Sequence, residues 1–240
     1  LVCGEDALVV EFGDGIDPLT NDRVYALAAA VEAAVNASVT EMVPTYRSLL
    51  IQYDLELSTV EEMTEFLVAL IPSADQAGNN ETNASRRIYK LPVSYGGEQG
   101  QDLNDVAEHA GMTAEEVIAI HSGTDYRVFM LGFAPGFPYL GGMDERIGTP
   151  RLASPRVRVP AGSVGIAETQ TGVYPMASPG GWRLIGNTPV SLFEPNANPP
   201  VPFLPGSFIR FVPVTAEEAE RIAQEVADGT YLVQMTEQSS

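Results

Sequence analysis

Three stretches of the 240-residue chain carry side chains suited to binding a small molecule. Gly132-Phe133-Ala134-Pro135-Gly136-Phe137-Pro138-Tyr139-Leu140 interleaves three aromatic rings with proline and glycine. Such a run cannot be helical, and its rings need a surface or a ligand to cover them. Phe133, Pro135, Phe137 and Tyr139 therefore read either as the wall of a pocket or interface, or as a plug in one end of a barrel. Pro135 and Pro138 leave open which of their peptide bonds is cis or trans. Arg151 follows, and then Pro155-Arg156-Val157-Arg158-Val159-Pro160-Ala161-Gly162-Ser163. On a strand, Arg156 and Arg158 would share one face, and Val157 and Val159 the other. Guanidinium forks suit carboxylates or phosphates, and open N–H groups of Gly162 and Ser163 would add to such a site. The competing reading is that these arginines pair with acidic residues elsewhere in the chain.

The third stretch runs from Gln170 to Gly186. Gln170 and Tyr174 have polar ends that can orient an amide. Ser178-Pro179-Gly180-Gly181-Trp182 is a tight turn delivering the only Trp, either into a core or onto a ligand. His121 sits at a helix end, where a cation suits the helix dipole; its ordinary pKa of about 6.5 suits proton transfer equally. His109 is given no role. No G-x-x-x-x-G-K-[ST] loop and no G-x-S-x-G elbow occur. Two His and one Cys argue against a metal centre, a disulfide framework or thiol chemistry from this chain.

Charge narrows the partners. The chain has 13 basic and 32 acidic residues, a formal charge of −19. That balance disfavours nucleic acid and anionic membrane as partners. Lys90 is the only Lys, and such an acidic, lysine-poor composition suits a protein hydrated at high salt, or an ordinary acidic cytoplasmic one. Residues 126–191 depart from the rest, with 6 bases against 3 acids, a net of +3 in an acidic chain. This island contains the three stretches above and points to a small anionic ligand. No apolar run approaches the roughly 20 residues that span a bilayer, and no charged-then-apolar leader opens the sequence.

The elements that must position these residues are legible in part. Ala7–Phe12 and Arg47–Tyr53 read as strands. Asn21–Ala37 reads as a helix capped by Thr20. Ser58-x-x-Glu61 is a capping box opening a second helix, with Met63, Phe66, Leu67 and Leu70 inward and Pro72 ending it. Residues 73–85 lack large apolar side chains and read as a linker, so domains are expected at 1–78 and 79–240. Arg86–Val93 resumes as a strand. Helices follow at Asp102–Ala110, closed by Gly111, and from the capping box Thr113-x-x-Glu116 to His121. Residues 126–213 then hold 14 of the 18 prolines and 12 of the 22 glycines, between short apolar pieces that include Val190–Phe193. That texture suits a barrel or sandwich of short strands. Thr215-x-x-Glu218 caps a final helix ending at Gly229, and the tail after Val233 is expected to be loose.

Several motifs carry a family resemblance. They are Val43-Pro44-x-Tyr46-Arg47-Ser48-Leu49-Leu50, Pro92-Val93-x-Tyr95-Gly96-Gly97-Glu98, Leu131-Gly132-Phe133-x-Pro135-Gly136-Phe137-Pro138-Tyr139-Leu140, Pro155-Arg156-x-x-Val159-Pro160-Ala161-Gly162-Ser163-Val164 and Ser178-Pro179-Gly180-Gly181-Trp182. In order, over about residues 5–215, they resemble the family of B-type 5-oxoprolinase subunits, which includes KipI and allophanate hydrolase subunit 1. The chain differs from that family's usual pattern at Ser94, Asn187 and Ser207. The resemblance implies an α+β chain: an N-terminal α/β sandwich domain, then a cyclophilin-like β-barrel domain with a C-terminal helix. It implies a C-type (KipA-like) subunit and an A-type subunit as partners in ATP-dependent opening of 5-oxoproline to L-glutamate in the cytoplasm. ATP would be used by the complex, with neither a metal nor biotin held by this chain alone. Alternatives within the family are a KipI-type inhibitor of a sensor histidine kinase and half of a biotin-dependent carboxyltransferase site. The expected site has His121, Gln170 and Tyr174 as catalytic groups. Arg151, Arg156, Arg158, Gly162, Ser163, Gly180 and Gly181 would bind substrate, walled by Phe133, Pro135, Phe137, Tyr139 and Trp182.

Overall fold

The computed structural model describes residues 1–80 and 86–238, which divide into units on either side of the 85/86 junction. In the first unit, β1 (Val2–Cys3), β2 (Ala7–Glu11), β4 (Ser48–Tyr53) and β3 (Val39–Pro44) form an antiparallel sheet in the order β1-β2-β4-β3. Two helices, α1 (Pro18–Ala33) and α2 (Val60–Asn80), pack on each other, and α1 also packs on the sheet. Leu8, Val24, Leu27, Val31, Leu49, Ile51, Tyr53, Met63 and Leu67 form the core. β4 alternates buried and half-buried residues, as a strand with one covered face must.

Local chemistry moves several boundaries away from the sequence reading. Asp17, not Thr20, caps α1: its carboxylate accepts from the Thr20 N–H at 2.9 Å, and Pro18 occupies the first turn. The helix stops at Ala33 rather than Ala37, because Val35 turns left-handed (φ 50) and the Asn36 side chain accepts from the Ser38 N–H. At α2 the capping pair is Thr59 and Glu62, one residue later than Ser58 and Glu61. Ser58 still belongs to the preceding turn, its N–H bonded to the Asp54 carbonyl. Pro72 does not end this helix. It lies inside α2, which runs to Asn80, so residues 73–80 of the expected linker are helical and 81–85 lie outside the described residues.

The second unit is built around β5 (Arg86–Tyr95). Ile88–Val93 pair in parallel with β13 (Phe208–Pro213), and Ser94 and Tyr95 pair with β12 (Arg183–Asn187). Around these run β6 (Asp125–Leu131), β7 (Pro138–Gly141), β9 (Ser163–Ala167) and β10 (Gln170–Val173), in the order β10-β9-β12-β5-β13-β6-β7. The two ends of that path, β10 and β7, pack against each other, so the sheet is nearly closed. Its interior holds Leu91, Val93, Tyr126, Val128, Val164, Ile166, Ile185, Ile209 and Phe211. A separate ribbon pairs β8 (Arg156–Val159) with β11 (Ser178–Gly180).

Three helices complete the unit: α3 (Leu103–Ala110), closed by left-handed Gly111; α4 (Ala114–Ser122), opened by the Thr113–Glu116 capping box; and α5 (Ala216–Ala227), opened by Thr215–Glu218. The tail is not loose: Gln234–Gln238 forms β14, antiparallel to the first half of β5. Val190 and Leu192 are buried as expected of a strand, but they belong to an irregular segment outside the sheet. Among the described residues the cis peptide is Asn198–Pro199.

Candidate functional site

One cavity collects much of what the three sequence stretches offered. Its volume is about 220 Å³, and it is lined by Phe133, Phe137, Tyr139, Arg151, Gln170, Tyr174, Pro179, Gly180, Gly181 and Trp182. Phe133 and Phe137 come from the β6–β7 connection, Tyr139 from β7, Gln170 from β10, and Pro179 and Gly180 from β11. The connection folds on itself: the Gly132 N–H donates to the Phe137 carbonyl at 3.1 Å, and the Phe137 N–H to the Ala134 carbonyl at 3.0 Å. Phe133 adopts φ 62, left-handed backbone that costs a phenylalanine on the order of 1 kcal/mol, and its ring is 75% exposed.

Phe137 is the hub of the aromatic wall. Its ring meets Phe133 at 5.5 Å, Tyr139 at 5.2 Å, Tyr174 at 6.4 Å and Trp182 at 6.2 Å, all edge to face. Two glycines make this packing possible. A Cβ on Gly172 would stand 3.1 Å from the Trp182 ring, and one on Gly180 would run into the Tyr174 hydroxyl.

The charged group at the cavity is Arg151. Its guanidinium carbon lies 5.9 Å from the Trp182 ring centroid, and no ion pair engages it among the described residues. Burial raises the Tyr174 pKa above its ordinary value, against an opposing hydrogen bond from the Trp182 backbone and the positive charges of Arg151 and Arg156. Tyr174 is thus a neutral hydroxyl at physiological pH. An apolar aromatic bowl, one cation at its rim, and the Gln170 amide and Tyr174 hydroxyl beside it suit a small, flat, monoanionic molecule with an amide.

The other expected site residues lie elsewhere. His121 is fully buried; its Nδ1 pairs with the Tyr95 hydroxyl at 2.7 Å, its Nε2 with Thr171 Oγ1 at 2.8 Å, and its ring stacks on Phe211 at 4.6 Å. Burial lowers its pKa to about 3, so it is a neutral core residue rather than a proton carrier at the cavity. Arg156 is claimed by Asp102, Arg183 by Asp105 and Arg146 by Asp144, which realises the ion-pair reading for these three arginines. Arg158 and Pro135 are exposed and line no part of the cavity. The ribbon breaks the expected alternation of β8: Val157 is 90% exposed while Val159 is buried, with a register shift between Ser178 and Gly180. Gly162 and Ser163 offer no open N–H groups, since these donate to the Tyr174 and Pro160 carbonyls. Asp102 and Pro179 were missed in the sequence; a lone Asp before a short helix carries no signal that it will meet an Arg 54 residues away.

Comparison with known proteins decides the family. Residues 1–203 match the family described as carboxyltransferase domain, subdomain C and D. A Bacillus subtilis protein named as the B-type subunit of 5-oxoprolinase is 42% identical over 92% of this chain and 95% of its own length. Another of that name, from Escherichia coli O157:H7, is 41% identical over 88% of this chain and 93% of its own length.

The chain belongs to the family of B-type 5-oxoprolinase subunits.

Solved structures share the fold of this chain. The crystal structure of TTHA0988 superposes with TM-score 0.75 and 35% identity over 88% of this chain, which spans 40% of that chain's length. The Kluyveromyces lactis urea carboxylase superposes with TM-score 0.77 over 97% of this chain, and at 22% identity it shows the fold alone.

Proposed function

We propose that this chain is the B-type subunit of an ATP-dependent 5-oxoprolinase, acting with A-type and C-type subunits to open 5-oxoproline to L-glutamate. The observation that carries this reading is the aromatic cavity with Arg151 at its rim. It supports a site for 5-oxoproline, a flat five-membered lactam with one carboxylate. In this reading Arg151 holds the carboxylate, and the Phe137–Trp182 wall covers the ring. Gln170 and Tyr174 hydrogen-bond the lactam, whose C–N bond takes up water to give the γ-carboxylate and the α-amine. At about 220 Å³ the cavity falls below the roughly 300–1,000 Å³ of pockets for drug-sized ligands, so it does not fit a nucleotide. This cavity is accordingly not assigned to the ATP that the complex would use, and no step here passes through it.

The same reading takes the unit before the 85/86 junction as an α/β sandwich domain and the unit after it as a cyclophilin-like barrel with its C-terminal helix. It places the complex in the cytoplasm, where ATP is available; among the described residues no helix is long and apolar enough to cross a membrane. Purification with the A-type and C-type subunits, followed by ATP-dependent glutamate release from 5-oxoproline, is the test. Release that requires all three supports the assignment. No release from the full folded set favours the KipI-type or carboxyltransferase readings, the latter supported by the family described for residues 1–203.

A further inference from the structure

Asp102 sits at the start of α3, 5% exposed, and makes no cap bond to its own helix. Its carboxylate is spent elsewhere. Both oxygens accept from Arg156 Nη2, at 2.7 and 2.8 Å, and Oδ2 also accepts from the Leu184 N–H at 2.6 Å. The Asp102 N–H returns a bond to the Leu184 carbonyl at 2.9 Å, so the two residues are locked in both directions. Arg156 carries the link further, donating from Nη1 to the Trp182 carbonyl at 3.1 Å. Trp182 and Leu184 flank Arg183, so one buried carboxylate holds the backbone on either side of the residue that opens β12. The Trp182 ring, in turn, is the surface over which Arg151 stands and against which Phe137 and Tyr174 pack.

We infer that Asp102 is a positioning residue for the cavity. Through Arg156 it sets the backbone of Trp182, and so the ring that places the substrate-binding Arg151. A charge-assisted contact to a buried carboxylate, made by a guanidinium whose other nitrogen holds the Trp182 carbonyl, is directional and dry enough to hold one geometry, which a water-exposed pair is not. The kinetic part of this inference rests on the cavity being the 5-oxoproline site; the geometric part does not.

The single Trp makes the two parts separable. In the full chain, Asp102→Asn removes the charge with little change in size. The expected result is a shifted Trp182 emission maximum with greater acrylamide quenching, and 5-oxoproline affinity weakened about tenfold or more, the loss typical of a charged hydrogen bond. In the assembled complex KM should rise by more than kcat falls. Asp144→Asn, which breaks the exposed Arg146 pair, should leave emission and KM at parental values. Arg156→Lys keeps the charge but not the second nitrogen that donates to the Trp182 carbonyl, and should reproduce the emission change; it replaces Asp102→Asn if that variant does not fold. Parental emission, quenching and KM in these variants, whatever their melting temperature, would overturn the inference. If the parent chain itself binds no 5-oxoproline, the reading of the cavity falls, while the emission shift still decides whether Asp102 sets Trp182.

Discussion

The Arg151 guanidinium carbon stands 5.9 Å from the Trp182 ring centroid, while the neighbouring Arg156 and Arg183 are each claimed by a carboxylate. A basic island that looked like one anion site is thus divided. Arg156 and Arg183 are held in ion pairs, and Arg151 lines the cavity.

Arg151→Ala should therefore weaken 5-oxoproline binding by about 1.5–3 kcal/mol, roughly 10- to 160-fold, with a small effect on stability because Arg151 is exposed. Arg151→Lys should restore part of the loss, since a point charge replaces a fork. Calorimetric titration of the chain with 5-oxoproline reads both, and an unchanged Kd in Arg151→Ala would remove this residue from the site.

Phe133→Gly separates the wall from the fold. Glycine adopts φ 62 without strain, and the ring it removes is 75% exposed, so thermal stability should hold or rise by up to about 1 kcal/mol. Affinity for 5-oxoproline should nevertheless fall. A variant that loses stability and keeps its affinity would place Phe133 in the fold instead.

Gly180→Ala tests the fit of Tyr174. The added Cβ meets the Tyr174 hydroxyl, so either β11 or the ring must shift. We expect about 1–3 kcal/mol of lost stability together with weaker ligand binding. The same substitution at Gly97, where nothing lies within 4 Å, carries only the backbone cost of φ 62 and should leave binding intact.

His121 predicts an acid dependence of folding, not of turnover. Its folded pKa of about 3 lies below the ordinary 6.5, so the unfolded chain takes up the proton first. The neutral ring's contribution is complete above about pH 6.5 and is lost as pH falls toward 3, by several kcal/mol on the order of 1.4 per pH unit. His121→Gln should flatten the stability profile between pH 6.5 and 4.5, measured by urea unfolding. The pH dependence of kcat/KM in the complex should show no inflection from this residue.

The charge of −19 predicts a salt response. Self-repulsion is screened as KCl rises, so the melting temperature should increase beyond 0.2 M, where the Debye length is already about 7 Å. Greatest stability below that concentration would refute adaptation to high salt.

Much of the cavity's lining was legible because its chemistry is local. Aromatic rings between prolines and glycines cannot be buried by their own segment, and Phe133, Phe137, Tyr139, Tyr174 and Trp182 meet at one cavity. The capping boxes at Thr113 and Thr215 were readable for the same reason, since each bond spans three residues. Where two local solutions compete, as at Ser58 and Thr59, a neighbouring turn decides, and spacing alone does not show it.

The sequence by itself determined the helices of both units, the aromatic and glycine-rich stretches and, through motifs in series, the family, but not β3 (Val39–Pro44) or β14 (Gln234–Gln238). Only the tertiary structure decided which arginine lines the cavity. Arg151, Arg156 and Arg158 are alike in type and close in sequence, and their fates depend on acids brought near by the fold: Asp102 reaches Arg156 across 54 residues. The same holds for His121, whose helix-end position suits a proton carrier until Tyr95, Thr171 and Phe211 close around it and exclude water. Desolvation and the Asp102–Arg156 ion pair are long-range consequences of packing, and no spacing within one segment encodes them.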